Sequence, residues 1–172
     1  LGNHAHLNVH AKEEMSFDAL VRGQVDFLLL PHDLSQPPTQ NKVLVWQTIL
    51  KDEMVCLMGP SNPLSKQPLS IESYLCARHI GIHDKDLSQP YFEQNLTQRH
   101  SKRNMAMRVA DFGSAAVMCQ HSDYLFTCSK LWARAAMQAK GLVEQSLPFD
   151  YGQVAYSLVW NKASLNDPAL KW

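Results

Sequence analysis

The chain has no apolar run approaching the roughly 20 residues that cross a bilayer as a helix, so no helical membrane span is expected. It also lacks an excess of charge: 16 Lys and Arg against 16 Asp and Glu leave a formal net charge of zero. Holding nucleic acid needs a basic face to neutralise phosphates, so this stretch is not expected to grip DNA itself. Cys56, Cys76, Cys119 and Cys128 show no CxxC spacing. That speaks against a disulfide framework and for reduced thiols in a cytosolic protein. No GxSxG elbow, P-loop or HExxH occurs, and no convergent acid, base and nucleophile can be named. Catalysis therefore ranks lowest among the functional readings.

What the sequence does have is 45% hydrophobic residues, enough for a globular α/β core. The stretch LNVHAKEEMSFDALVRGQVDFLLLP, residues 7–31, organises the rest. Residues 7–11 alternate apolar and polar as a strand does. Ser16 is a natural helix N-cap, and Phe17, Leu20 and Val21 recur at helical spacing. Gly23 sits where a helix ends in a left-handed residue. Residues 25–30 then run apolar without alternation, as in a strand covered on both faces. Strand, crossover helix and strand make a βαβ unit.

Further along, a Pro- and Ser-rich loop at 33–41 precedes strands at 43–50 and 53–58, with Lys51 and Asp52 turning between them. Ser70 caps a short helix at 71–76, and 79–83 is a brief strand. Residues 84–88 break the pattern, and Pro90 opens a helix at 91–98. Strands are expected at 105–110, 124–128, 142–147 and 154–160. Helices are expected at 113–121, opened by Ser114, and at 130–140, closed by Gly141. Asp167 and Pro168 start a last helix. Arg99, Lys102 and Arg103 read as a solvated basic loop, and Met105, Met107 and Met118 as core filling.

This order of elements resembles the effector-binding domain of LysR-type transcriptional regulators, nearest the LeuO-like and NodD-like branch. The matching signals are LVRGQVDFLLLP, ILKDEMVCLMGPSNPLS, LSIESYLCARHIGI, VADFGSAAVMCQHSDYLFTCSKLWARAAMQAKGLVEQSLPF and LVWNKASLNDPALKW. Each is weak alone; five in order over nearly the whole chain are specific. The resemblance implies two Rossmann-like lobes joined by crossover strands, as in type 2 periplasmic binding proteins. Lobe I would hold residues 1–80 with 153–172, and lobe II residues 81–152. It also implies a small organic effector in the interlobe cleft, and lobe movement relayed to DNA-binding domains. The protein would be a bacterial, cytoplasmic homodimer or homotetramer, with the helix at 113–121 in the dimer contact. The winged helix-turn-helix and the first strand and helix of lobe I are expected upstream, so DNA is contacted only through that absent part. Ser129 departs from the family, where many relatives place proline. The rival class is a solute-binding protein of a transport system, which shares the fold.

In open α/β sheets, ligands bind beyond the carboxyl ends of the strands. Pro31, His32, Gly81, His83, Phe112, Gly113, Ser114, Thr127 and Ser129 stand at such ends and are the candidate effector-binding residues. Backbone N–H groups and the Ser114 hydroxyl at a helix start suit an anion, with Phe112 as an aromatic wall; ordinary capping is the alternative. His32 and His83 offer imidazoles to the ligand or stand as loop histidines in water. Thr127 and Ser129 offer hydroxyls or bond locally. No cofactor or metal is expected: on a strand His6 and His10 share a face but stand about 13 Å apart, and His79 and His83 likewise.

Overall fold

A computed structural model of the chain describes residues 6–10, 17–34, 42–83 and 91–166. The chain divides into two compact units, Leu1–Lys51 with Ala155–Trp172, and Asp52–Val154.

In the first unit, helix α1 (Phe17–Val21) buries Ala19 and Leu20. It ends as the glycine requires. Gly23 takes φ +69, and its N–H donates to Leu20 O while Gln24 N–H donates to Ala19 O. This pairing satisfies two carbonyls that a helix end leaves unpaired. Strand β1 (Leu28–Asp33) follows. Beside it lie β7 (Gln153–Asn161) and then β2 (Leu44–Met58).

Three expectations for this unit are corrected. Residues 7–10 form no strand and are exposed, because an alternating sequence becomes a strand only where another strand pairs with it. Ser16 lies outside the described residues. The apolar run at 25–30 pairs three residues late, as β1, and is not covered on both faces. Its burial alternates, with Leu29 58% exposed, and among the described residues β1 stands at the end of the row of strands. Lys51 and Asp52 make no turn: β2 is one 15-residue strand. Neither residue supplies the positive φ or the fixed φ that turns a chain sharply.

The second unit is built on a sheet in the order β6 (Val143–Ser146), β2, β5 (Leu125–Ser129), β3 (Arg78–Ile82), β4 (Asn104–Val109). β5 and β6 flank β2 antiparallel; β4 and β5 flank β3 parallel. Side chains alternate across this sheet and so feed two apolar clusters. Val55, Leu57, Ile80, Phe126 and Cys128 pack with Ala115, Ala116 and Cys119 of α4 (Phe112–Gln120) and with Ala133 and Ala136 of α5 (Lys130–Lys140). Cys56, Met58 and Leu125 pack with Tyr74 of α2 (Ile71–Cys76) and with Phe92 and Leu96 of α3 (Tyr91–Arg99). Ser70 caps α2 as expected, in a reciprocal box with Ser73. Gly141 follows α5 at φ +64.

The compact units divide elsewhere than at 80/81. β3 pairs with both β4 and β5, and β5 with residues 54–57 of β2. Residues 52–80 therefore share a sheet with the elements that follow them, and the divisions fall at 51/52 and 154/155. The helix expected from Asp167 and the polar break at 84–88 lie outside the described residues.

Candidate functional site

Parallel pairing of β4, β3 and β5 brings their carboxyl ends side by side in the second unit. His83 follows β3, and its N–H donates to Val109 O at 2.8 Å, leaving the residue exposed. Phe112, Gly113 and Ser114 open α4 beyond β4, and Ser129 closes β5. These five expected residues share one end of one sheet. Gly81 is one turn of the pleat deeper: a Cβ there would stand 3.0 Å from Met105 Sδ, so the glycine makes room for that side chain.

The helix start is already occupied by a carboxylate. Asp111, not Ser114, caps α4: its Oδ1 accepts the N–H of Ser114 and its Oδ2 the Ser114 hydroxyl, each at 2.8 Å. These bonds from Ser114 hold the Asp111 carboxyl below its ordinary range. The N–H group and hydroxyl read as an anion cradle thus serve the chain's own anion. α5 repeats the device from a distance. Ser129 makes no side-chain cap; instead Asp52 Oδ2 accepts the N–H of Leu131 at 2.8 Å. Ser129 has φ −68 and ψ 146, a conformation proline also adopts. Two carboxylates therefore stand at this end, and they favour a ligand presenting hydroxyl or N–H donors. Phe112 is 38% exposed, with its ring edge-on to Phe126 and Trp132 at 5.5 and 5.1 Å.

Thr127 is set apart from this group. Its hydroxyl lies 2.7 Å from Tyr74 Oη and accepts from Arg103 Nη1 at 3.0 Å, on the sheet face covered by α2 and α3. Arg103 is the largest departure from expectation. Far from solvated, its side chain is 7% exposed and pairs with Glu93, at 13%. Nε and Nη2 both donate to Glu93 Oε1, Nη1 also donates to Tyr74 Oη at 3.2 Å and lies 3.4 Å from His79 Nδ1. The guanidinium covers the Phe92 ring at 4.9 Å. His79 Nε2–H donates to Tyr74 O at 2.6 Å. Burial and the neighbouring guanidinium push His79 down to about 3. No spacing rule exposes this set, because its members come from α2, β3, α3, β5 and the segment before β4. The one available hint was that Arg103 precedes an alternating strand.

In the first unit Pro31 is exposed on β1, and His32 Nε2 bonds the Ser157 hydroxyl at 2.8 Å. Thr48 Oγ1 lies 3.2 Å from the same oxygen. The His32 ring stands edge-on to Trp46 at 5.8 Å. The indole N–H groups of Trp46 and Trp160 are buried and meet no acceptor among the described residues. Thr48 and Ser157 went unnoticed in the sequence, where a hydroxyl inside a strand carries no signal of its own. A shallow depression in the second unit, walled by residues 65–69 and 143–147, holds none of the candidates. Gln145 bridges its walls with bonds to Leu64, Gln67 and Leu69.

A family model described as the LysR substrate binding domain matches residues 3–172. The chain belongs to that family. It is 21% identical to the HTH-type transcriptional activator NahR of Pseudomonas putida over 72% of this chain and 41% of that protein. It is 26% identical to nodulation protein D 2 of Rhizobium meliloti over 90% of this chain and 46% of the relative. The chain thus spans about half the length of the curated relatives it matches. The crystal structure of a probable transcriptional regulator from Pseudomonas aeruginosa superposes with TM-score 0.79 at 22% identity, over 91% of this chain and 52% of the other. Fold class and family expectation both hold: the mixed α/β fold is that of LysR regulatory domains.

Proposed function

We propose that this LysR substrate-binding domain senses a small organic effector and mediates oligomerisation for a cytoplasmic, DNA-binding regulator. DNA contact would belong to a part of the protein beyond this chain. The observation that carries the reading is the family match over residues 3–172, which also favours a regulator over a transport solute-binding protein. The family and the named relatives are transcriptional regulators, and catalysis is not part of the proposal.

His83, Phe112, Gly113, Ser114 and Ser129 are the proposed contacts in the second unit; Pro31 and His32 are separate candidates within the first. The capping carboxylates of Asp111 and Asp52 turn the expected ligand from a bare anion towards a molecule carrying hydroxyl groups. A small hydroxylated acid fits that description. The effector-binding domain of QuiR, a structural neighbour at TM-score 0.68 and 12% identity, is described in complex with shikimate. For oligomerisation, α4 offers Val117, 39% exposed, to a second copy.

The test is a thermal-shift and calorimetric screen of hydroxylated and non-hydroxylated small acids against the chain, repeated on His83→Ala and His32→Ala. A hydroxylated ligand that raises Tm and loses affinity about tenfold or more in either variant supports the reading. Binding insensitive to both variants removes these residues from the site. Sedimentation of Val117→Lys beside the unaltered chain tests the α4 contact.

A further inference from the structure

We propose that helix α3 and residues 100–103 form an acid-sensitive latch, whose opening is coupled to uptake of one proton by His79. The latch is distinct from the effector site and does not depend on it.

His79 is wholly buried, and both ring nitrogens are committed. Nε2–H donates to Tyr74 O, and Nδ1 faces the N–H of Arg103. A proton on Nδ1 would meet the guanidinium head-on, so the closed arrangement admits only the neutral imidazole. Beside it, the polar groups gathered about Arg103 are Tyr74 of α2, Glu93 of α3 and Thr127 of β5, and its charge reaches the Cys56 thiol of β2. Burial keeps Cys56 and Tyr74 protonated, so Arg103 and Glu93 carry the local charge and neutralise each other.

When α3 swings away with Arg103, Nδ1 meets water and regains ordinary imidazole basicity, near 6.5. The open form then binds a proton that the closed form refuses. Proton linkage makes opening about tenfold more frequent for each pH unit below roughly 6.5. The effect continues until His79 titrates in the closed form. α4 and α5 pack in the other apolar cluster, away from these groups, and need not open with α3.

Hydrogen exchange of the 172-residue chain, corrected for intrinsic rates, would be followed from pH 6.5 to 4.5. Opening of residues 91–99 should rise about 50-fold across this range, while residues 112–120 change little. His79→Gln, whose amide can keep both hydrogen bonds, should flatten the profile. A flat profile in the unaltered chain, an equal slope at 112–120, or an unchanged slope in the variant overturns the proposal. Should the variant not fold, the imidazole titration of His79 in the unaltered chain decides. Neutrality to below about pH 4 supports the latch, and a midpoint near the free value of about 6.5 sinks it.

Discussion

Asp52 Oδ2 accepts the backbone N–H of Leu131 at 2.8 Å, so a strand residue 79 positions earlier caps helix α5. The antiparallel pairing of Met54 with Ser129 places them together. Glu53 adds an ion pair to Lys130 at 3.1 Å, a largely exposed contact worth little by itself. Replacing Asp52 with Ala should cost about 1 kcal/mol, as loss of a helix cap does, read as a shift in urea midpoint at unchanged slope. Asn should recover part of it. An unchanged midpoint in Asp52→Ala would mean that water caps α5 equally well.

Arg103 and Glu93 invite a reversal experiment. Removing one partner, as in Arg103→Met, strands a buried carboxylate and should cost about 3–5 kcal/mol. The double change Glu93→Leu with Arg103→Met removes both charges and should recover much of that loss. If the double variant is as unstable as the sum of the singles, the pair contributes nothing through its charges.

Gly59 closes β2 against α4. A Cβ there would stand 2.6 Å from the carbonyl oxygen of Cys119, which is backbone and cannot swing aside. Gly59→Ala should therefore destabilise by about 1–3 kcal/mol. Gly152, at φ +89 with open space around it, should resist alanine for the opposite reason, backbone conformation alone.

Thiol labelling separates the four cysteines. Cys76 is exposed, while Cys56, Cys119 and Cys128 are buried. Burial pushes Cys119 up to about 12 and raises Cys56 and Cys128 as well. Since the thiolate is the reactive form, an aromatic disulfide reagent should take one equivalent in the native chain and four in denaturant. Rapid labelling of a second thiol would contradict the burial.

The sequence by itself determined the class of this protein and most of its elements. Helical spacing, the cap at Ser70 and the glycines at 23 and 141 are local signals, satisfied within a few residues. Their order along the chain pointed to the LysR family. Tertiary structure decided which polar groups meet. Asp52 was read as a turn and caps a distant helix; Arg103 was read as surface and lies buried; Thr127 was read as ligand-facing and is bonded to both Tyr74 and Arg103. Strand burial belonged to the same class: the apolar run at 25–30 carries no local sign that the strand's burial would alternate. Hydrogen bonds and ion pairs act over about 3–4 Å, and the residues that close such distances here lie tens of positions apart. Local sequence carries no record of that pairing; the register of the sheet does.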